Sequence, residues 1–198
     1  MKVKKLMEKQ RCKWCQSSEK MIHYHDSFWG NPLHGDQELF AKLVLDMNQA
    51  GLSWNTILNK QENFYAAFDD FDIAKVASYD DDKFNALMNN AGIIRNRLKI
   101  AAAINNAQKV LEVQKEFGSF DTYIWSFTAG KVLQHHIIDE SEIPATNDLS
   151  DKMSKDMKKR GFKFTGSTVI YAYLQAIGVI NDHAESCFRQ AELIGDED

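Results

Sequence analysis

The chain has 198 residues, 44% of them hydrophobic, and a formal net charge of −4. That length supports one sizeable core without requiring two domains, no apolar run approaches the ~20 residues of a membrane span, and Met1-Lys2-Val3-Lys4-Lys5 leads into Leu6-Met7-Glu8-Lys9, too polar for a signal-peptide core. The expectation is a single domain over 1–198, at most bilobal, with flexible ends at 1–10 and 190–198, a cytoplasmic location and no membrane partner; any nucleic-acid surface has to be local.

In chain order, Cys12-Lys13-Trp14-Cys15 comes first as a C-x2-C. Beyond it most of the sequence shows helical periodicity, with prolines only at 32 and 144, so the predicted fold is all-α. Leu39, Phe40, Leu43, Val44 and Met47 form a stripe on a helix that Asp36 is placed to cap, and Ile57, Leu58, Phe64, Ala67 and Phe68 mark a second helix. Asp80 is placed to cap a helix carrying Phe84, Leu87 and Met88, with Gly92 as its stop. A long helix runs from about Asn96 to Glu116, a short aromatic one covers Phe120 to Phe127, and Gly130 to Thr146 reads as irregular linker.

The last third concentrates positive charge. Lys152, Lys155, Lys158, Lys159, Arg160 and Lys163 face only Asp151 and Asp156 in the same stretch. Asp148 or Ser150 opens a helix that ends in Lys158-Lys159-Arg160, with Gly161 as a left-handed stop. After Phe162 to Gly166, Ser167 or Thr168 begins a second helix with Val169, Ile170, Tyr173, Leu174 and Ile177 inward. Surface lysines on an ordinary helix pair would look similar, but glycines and cations at one hairpin favour a DNA backbone contact. Free N–H groups near Gly166 would cradle a phosphate, with Lys163 adding charge.

Sulfur and imidazole sit at opposite ends of the chain. His183 and Cys187 are four apart, which on a helix places them on one face. Together with Cys12 and either Cys15 or His25 they make four N/S ligands, the number that closes a structural zinc site. Spacing alone leaves both sets open. Three cysteines in a reducing compartment argue for metal ligation or free thiols over disulfides.

Several separated segments have a common explanation. Tyr24 to Pro32, Gln49 to Trp54, Ala91 to Arg97, Ser141 to Pro144, Lys158 to Thr168 and Asn181 to His183 match, in register from Arg11 to Cys187, motifs Y-H-D-x-x-W-G-x-P, Q-A-G-L-S-W, A-G-I-I-R-x-R, S-E-I-P, K-K-R-G-F-K-F-x-G-x-T and N-D-H. In these the chain resembles the 3-methyladenine DNA glycosylase I family. The resemblance implies a helix-hairpin-helix glycosylase fold and removal of N3-methyladenine from alkylated double-stranded DNA; a monomer is expected. It implies a structural zinc ion on Cys12, His25, His183 and Cys187, leaving Cys15 a bystander. It further implies that Tyr24 and Trp54 contact the base, that Trp14 stacks on it, and that Gln49 and Leu52 fill the gap left in the duplex. Lys158, Lys159, Arg160, Gly161, Lys163, Gly166, Ser167 and Thr168 form the DNA-binding hairpin.

The chemistry of such a substrate fits these residue types. A base acted on within a duplex has to be everted and held between aromatic faces, for which Trp14, Tyr24, Trp29 and Trp54 are candidates, although Trp125 and much of Trp29 read as core. An alkylated purine is cationic, so it favours aromatic faces and a nearby carboxylate. Three positions depart from the family pattern: Asp46 stands where a glutamate recognises the adenine, shorter in reach by about 1.5 Å, Met21 stands where an aromatic often lines the pocket, and Phe28 replaces an acidic residue. Asp46 is still the candidate catalytic-site carboxylate, with altered selectivity as its expected consequence. A non-catalytic binder of damaged DNA would carry the same motifs. A zinc hydrolase using Asp26 or Asp182 to activate a water needs an open coordination position, which four ligands do not leave. No lysine lies in the aromatic segments, so the expected enzyme is monofunctional, without lyase activity.

Overall fold

Local side-chain chemistry sets most helix starts. In the computed structural model, which describes residues 9–194, the Ser18 hydroxyl accepts from the Met21 N–H to open α1 (Glu19–Ser27). α2 (Asp36–Gln49) starts at Gly35 without a side-chain cap. Ser53, Asp72, Asp80 and Asn96 cap α3 (Trp54–Ala67), α4 (Ile73–Ala77), α5 (Asp81–Asn89) and α6 (Arg97–Phe117). Ser119 caps α7 (Phe120–Ser126), and Asn147 with Ser150 forms a capping box on α8 (Asp148–Lys159). Such caps contribute about 1 kcal/mol each. α9 (Ser167–Ala176) begins at Gly166 with no side-chain cap, and α10 (Phe188–Ile194) closes the described chain.

Asp36 does not cap its own helix. It is the first residue of α2 and accepts from the Phe120 and Asp121 N–H groups at 2.9 and 2.8 Å, so its carboxylate satisfies the start of α7. α2 itself is buried from Leu39 to Asn48 at every position except Lys42, packed among α3, α6, α7 and α9. A helix with no solvent face is hydrophobic all round, and this one carries Asp46 into the interior.

The fold is mostly helical, with one small exception inside the expected linker. Leu133–Gln134 (β1) pairs in parallel with Ile180–Asn181 (β2), and an isolated bridge joins Ile137 to Ala184. That pairing holds the segment after α9 in extended form, so His183 and Cys187 do not lie on a helix. They flank a turn closed by the Cys187 N–H on the Ala184 carbonyl at 2.7 Å. Residues 190–194 of the expected flexible end form most of α10, while 1–8 and 195–198 lie outside the described residues. No described helix is long and apolar enough to cross a membrane.

Candidate active site and metal centre

Four ligand atoms from the two ends of the chain converge. Cys12, His25, His183 and Cys187 are all buried, and their donor atoms lie within 4.8 Å of one another. The Cys187 sulfur is 3.4 Å from His25 Nε2 and 3.6 Å from His183 Nδ1, and the Cys12 sulfur is 3.7 Å from His183 Nδ1. These four could hold a metal ion. Cys15 is buried nearby but points its thiol at the Cys12 carbonyl, 3.1 Å away, and stands outside the cluster.

Each imidazole is oriented by a second bond. His25 presents Nε2 to the cluster because its Nδ1 meets Asp26 at 2.9 Å, and Asp26 is itself gripped by Arg11 at 2.8 Å. His183 presents Nδ1 because its Nε2 meets the Trp29 carbonyl at 3.2 Å. Carboxylates and carbonyls in this position fix the tautomer of a metal-ligating histidine. The hydrogen bond to Cys12 pulls the Cys187 thiol down, and the same bond with burial pushes Cys12 up. A metal cation held among the four ligand atoms would let both sulfurs ionise. Gly30 sits against the cluster at φ +82°, and a Cβ there would lie 2.8 Å from His183 Nε2. Only glycine fits.

The aromatic residues form one wall continuous with this cluster. Trp29 packs edge-on to His183 at 4.5 Å between centroids and to Trp14 at 5.0 Å. Trp14 reaches Tyr24 at 6.4 Å, and Tyr24 reaches Trp54 at 5.1 Å. Trp29 is therefore a strut between the ligands and Trp14. Met21 is buried three residues before Tyr24 on α1. Phe28 is exposed and packs on His23.

At the far end of this wall stands Asp46. One of its oxygens pairs with the Lys42 ammonium, one turn earlier on α2, while Oδ2 is buried without a partner. The Trp54 indole N–H is likewise buried and unpartnered. The Lys42 nitrogen lies 4.0 Å from the Trp54 ring centroid and 5.7 Å from that of Tyr24. Burial pushes the Asp46 carboxyl up and the Lys42 ammonium down, and their attraction opposes both shifts. Burial first, and the Asp46 charge second, push the Tyr24 phenol up. Sequence reasoning missed Lys42. No lysine lies in the aromatic segments, yet the fold brings Lys42 of α2 against Trp54 and Tyr24, and the one sequence signal was its i, i+4 spacing to Asp46.

A cavity of about 790 Å³ adjoins this group, bounded by α1, α2 and α3, with Tyr24, Lys42, Glu38, Glu62 and Tyr65 among its walls. Asp46, Trp14, Trp29, Trp54 and Met21 do not line it.

Two surface features are held by α6. Lys99, buried and also missed from sequence, donates to the Asn48 and Ala50 carbonyls at 2.8 and 2.7 Å, fixing the turn after α2. In that turn Gln49 donates to the Leu52 carbonyl, the Leu52 N–H returns to the Gln49 carbonyl, and the Leu52 side chain is exposed. Asn106 brackets Lys163 through its N–H at 2.8 Å and its carbonyl at 3.0 Å, and Asn105 donates to the Gly161 carbonyl. Gly161 takes φ +92° after α8. Around Gly166 a Cβ would meet nothing within 4 Å, so the start of α9 at Ser167 and Thr168 is open. Lys158, Lys159 and Lys163 are exposed. Arg160 differs: its guanidinium binds Glu116 at 2.6 Å and Asp156 at 2.7 Å.

Comparison with known proteins decides the family. The family model described as methyladenine glycosylase matches residues 14–190. The chain belongs to the methyladenine glycosylase family. DNA-3-methyladenine glycosylase 1 of Escherichia coli (strain K12) is 42% identical over 178 residues, covering 90% of this chain and 95% of that protein. A crystal structure of 3-methyladenine DNA glycosylase I superposes with a TM-score of 0.88 at 41% identity, covering 90% of this chain and 98% of the other. A variant of such an enzyme, solved in complex with 3-methyladenine, gives 0.88 at 34% identity over 91% of this family member and 97% of that chain.

Proposed function

We propose that this protein is a DNA-3-methyladenine glycosylase that hydrolyses the N-glycosidic bond of the everted, cationic base in double-stranded DNA. The observation that carries the reading is that an Asp46 oxygen and the Trp54 N–H are both buried without a partner, in a group joined by Lys42. Buried polar groups without partners cost about 1–3 kcal/mol each. An acceptor and a donor left open beside an aromatic face suit a purine edge, and the negative charge suits an alkylated one. The bond between C1′ and the purine nitrogen breaks with its electron pair going to the base, which leaves neutral. Water adds to C1′ and gives up a proton. Because the leaving group is already activated, selection of the cation is the main task of Trp14, Tyr24, Trp54 and Asp46.

Zinc fits the four-ligand cluster. Tetrahedral zinc, with about 2.3 Å to sulfur and 2.0–2.1 Å to nitrogen, places S and N donors roughly 3.5 Å apart, and the S–N separations above run from 3.4 to 3.7 Å. Four donors leave no open position, so the ion would be structural and would brace the Trp29–Trp14 wall. The hydrolase alternative loses its bases as well. Asp26 is engaged by Arg11 and His25, and Asp182 accepts from Tyr171, Gln175 and His135 within 2.7 Å.

α8, its hairpin and α9 would supply a helix-hairpin-helix contact to the phosphate backbone, with Leu52 and Gln49 entering the vacated stack. Lys99 and Asn106, which hold the two features, are seven residues apart on α6. That is two turns on one face, about 10 Å, so both features are supported from one side. Removing Lys158 or Lys163 is expected to weaken DNA binding equally for all sequences and to lower the salt slope by about one each. Arg160→Ala is expected to change the slope less, its charge being already neutralised, as binding titrations across salt concentrations would show.

Incubation with methylated duplex DNA tests the function directly. Free 3-methyladenine should appear in solution, leaving abasic but uncleaved strands, and borohydride should trap no covalent adduct, because Lys42 lies among carboxylates as an ammonium and not as a free amine. Binding of damaged DNA without base release would establish the non-catalytic reading instead.

A further inference from the structure

Lys42 has the partners that the reading above gives to the substrate. Its ammonium rests on the Trp54 ring and pairs with Asp46, as a cationic purine would. An ammonium 4.0 Å from the Trp54 centroid occupies the face of that ring on which a base would stack. Tyr24 and Lys42 belong both to this group and to the walls of the neighbouring cavity, which offers other acceptors: Glu38, one turn back on α2, Glu62 and Asp70.

We propose that Lys42 is a tethered stand-in for the alkylated base, seated against Asp46 and Trp54 in the free protein and displaced into the adjoining cavity, toward Glu38 and Glu62, when the base enters. The inference rests on the assignment of this slot to the base. Its physical ground is charge balance. A buried carboxylate left unpaired is strongly unfavourable, and two cations crowded on one buried carboxylate repel. Lys42 supplies the counter-charge while the slot is empty, and an incoming cation releases it. A neutral purine would displace Lys42 without re-pairing Asp46, so it gains nothing in return.

Titration of 3,9-dimethyladeninium, which keeps the positive charge that the free base loses, into the protein and its variants tests this. Displacing a resident side chain reduces affinity by the fraction of time the slot is vacant, so Lys42→Met, equally long and uncharged, is expected to bind the base about tenfold more tightly. Lys42→Arg, which keeps charge and bulk, should bind no more tightly than the unmodified protein. If Lys42→Met binds the base less tightly or equally while Asp46→Asn and Trp54→Ala bind it weakly, the slot holds the base but the stand-in role is wrong. If neither Asp46→Asn nor Trp54→Ala weakens binding, the slot assignment itself falls, and the stand-in role with it. A reading independent of variant folding comes from the unmodified protein by NMR. Base binding should abolish the contact between the Lys42 ε-methylene and the Trp54 ring, and its persistence in the bound state would overturn the proposal.

Discussion

Cys187→Ala is expected to destabilise the protein by at least about 3 kcal/mol, the range reached when a metal site is lost. For a domain of this size that is a fall of about 6–12 °C in melting temperature. The reason lies in how little else holds the two ends together. The two cysteine ligands belong to a small apolar cluster of Cys12, Ala184 and Cys187, apart from the main core built on α2, α6 and α9. Arg11–Asp26 and the Phe188 N–H on the Gln10 carbonyl are nearby polar supports; the first is partly exposed, and the second joins the two ends through a single backbone hydrogen bond. Without an ion, two buried thiols and two buried imidazoles lose the one group that all four would bind. Thermal unfolding with and without chelator, together with metal content per chain, checks this. One ion per chain and parallel loss of stability and base release mark a structural site. Release lost at unchanged stability would point to a catalytic ion. Cys15→Ala is the companion: its thiol serves only the Cys12 carbonyl, so the ion should remain bound. Loss of the ion from Cys15→Ala would restore the C-x2-C ligand set.

The parts of this site that were legible in the sequence are those with a local signature. The stripe from Leu39 to Met47 named α2, and the hairpin glycines and lysines named the α8–α9 unit. The ligand set needed the family resemblance, because the C-x2-C offers Cys15 as readily as His25, and the four-residue spacing between His183 and Cys187 fits a helix face and a tight turn alike. The turn won because two-residue strands straighten the chain before it, and strands that short carry no alternating pattern to read. Asp36 looked like a cap for α2, yet its carboxylate crosses to α7, a choice made by packing. Lys42 and Lys99 were invisible for the same reason. A lysine within an apolar helix reads as a break in its stripe until the partners arriving from elsewhere are known: Trp54 and Tyr24 for the one, the carbonyls ending α2 for the other.

The larger functional effect is expected at Asp46. Asp46→Asn keeps the shape and removes the charge, leaving the Lys42 ammonium buried without its partner and the base without a charge-assisted acceptor. A hydrogen bond to a charged group contributes about 1.5–3 kcal/mol, so kcat/KM for release of 3-methyladenine should fall about tenfold to hundredfold. The loss should appear mainly in KM. As the glycosidic bond breaks, the purine gives up its positive charge, so a carboxylate at the base holds the ground state at least as firmly as the transition state. A drop confined to kcat would place Asp46 at the sugar instead, stabilising charge that develops on C1′. Asp46→Glu separates reach from charge. The extra bond, about 1.5 Å long, carries the carboxylate further along the slot from the same turn of α2, and release of 3-methyladenine should rise or hold. A fall would show that the shorter side chain is matched to its surroundings, and that another group recognises the base.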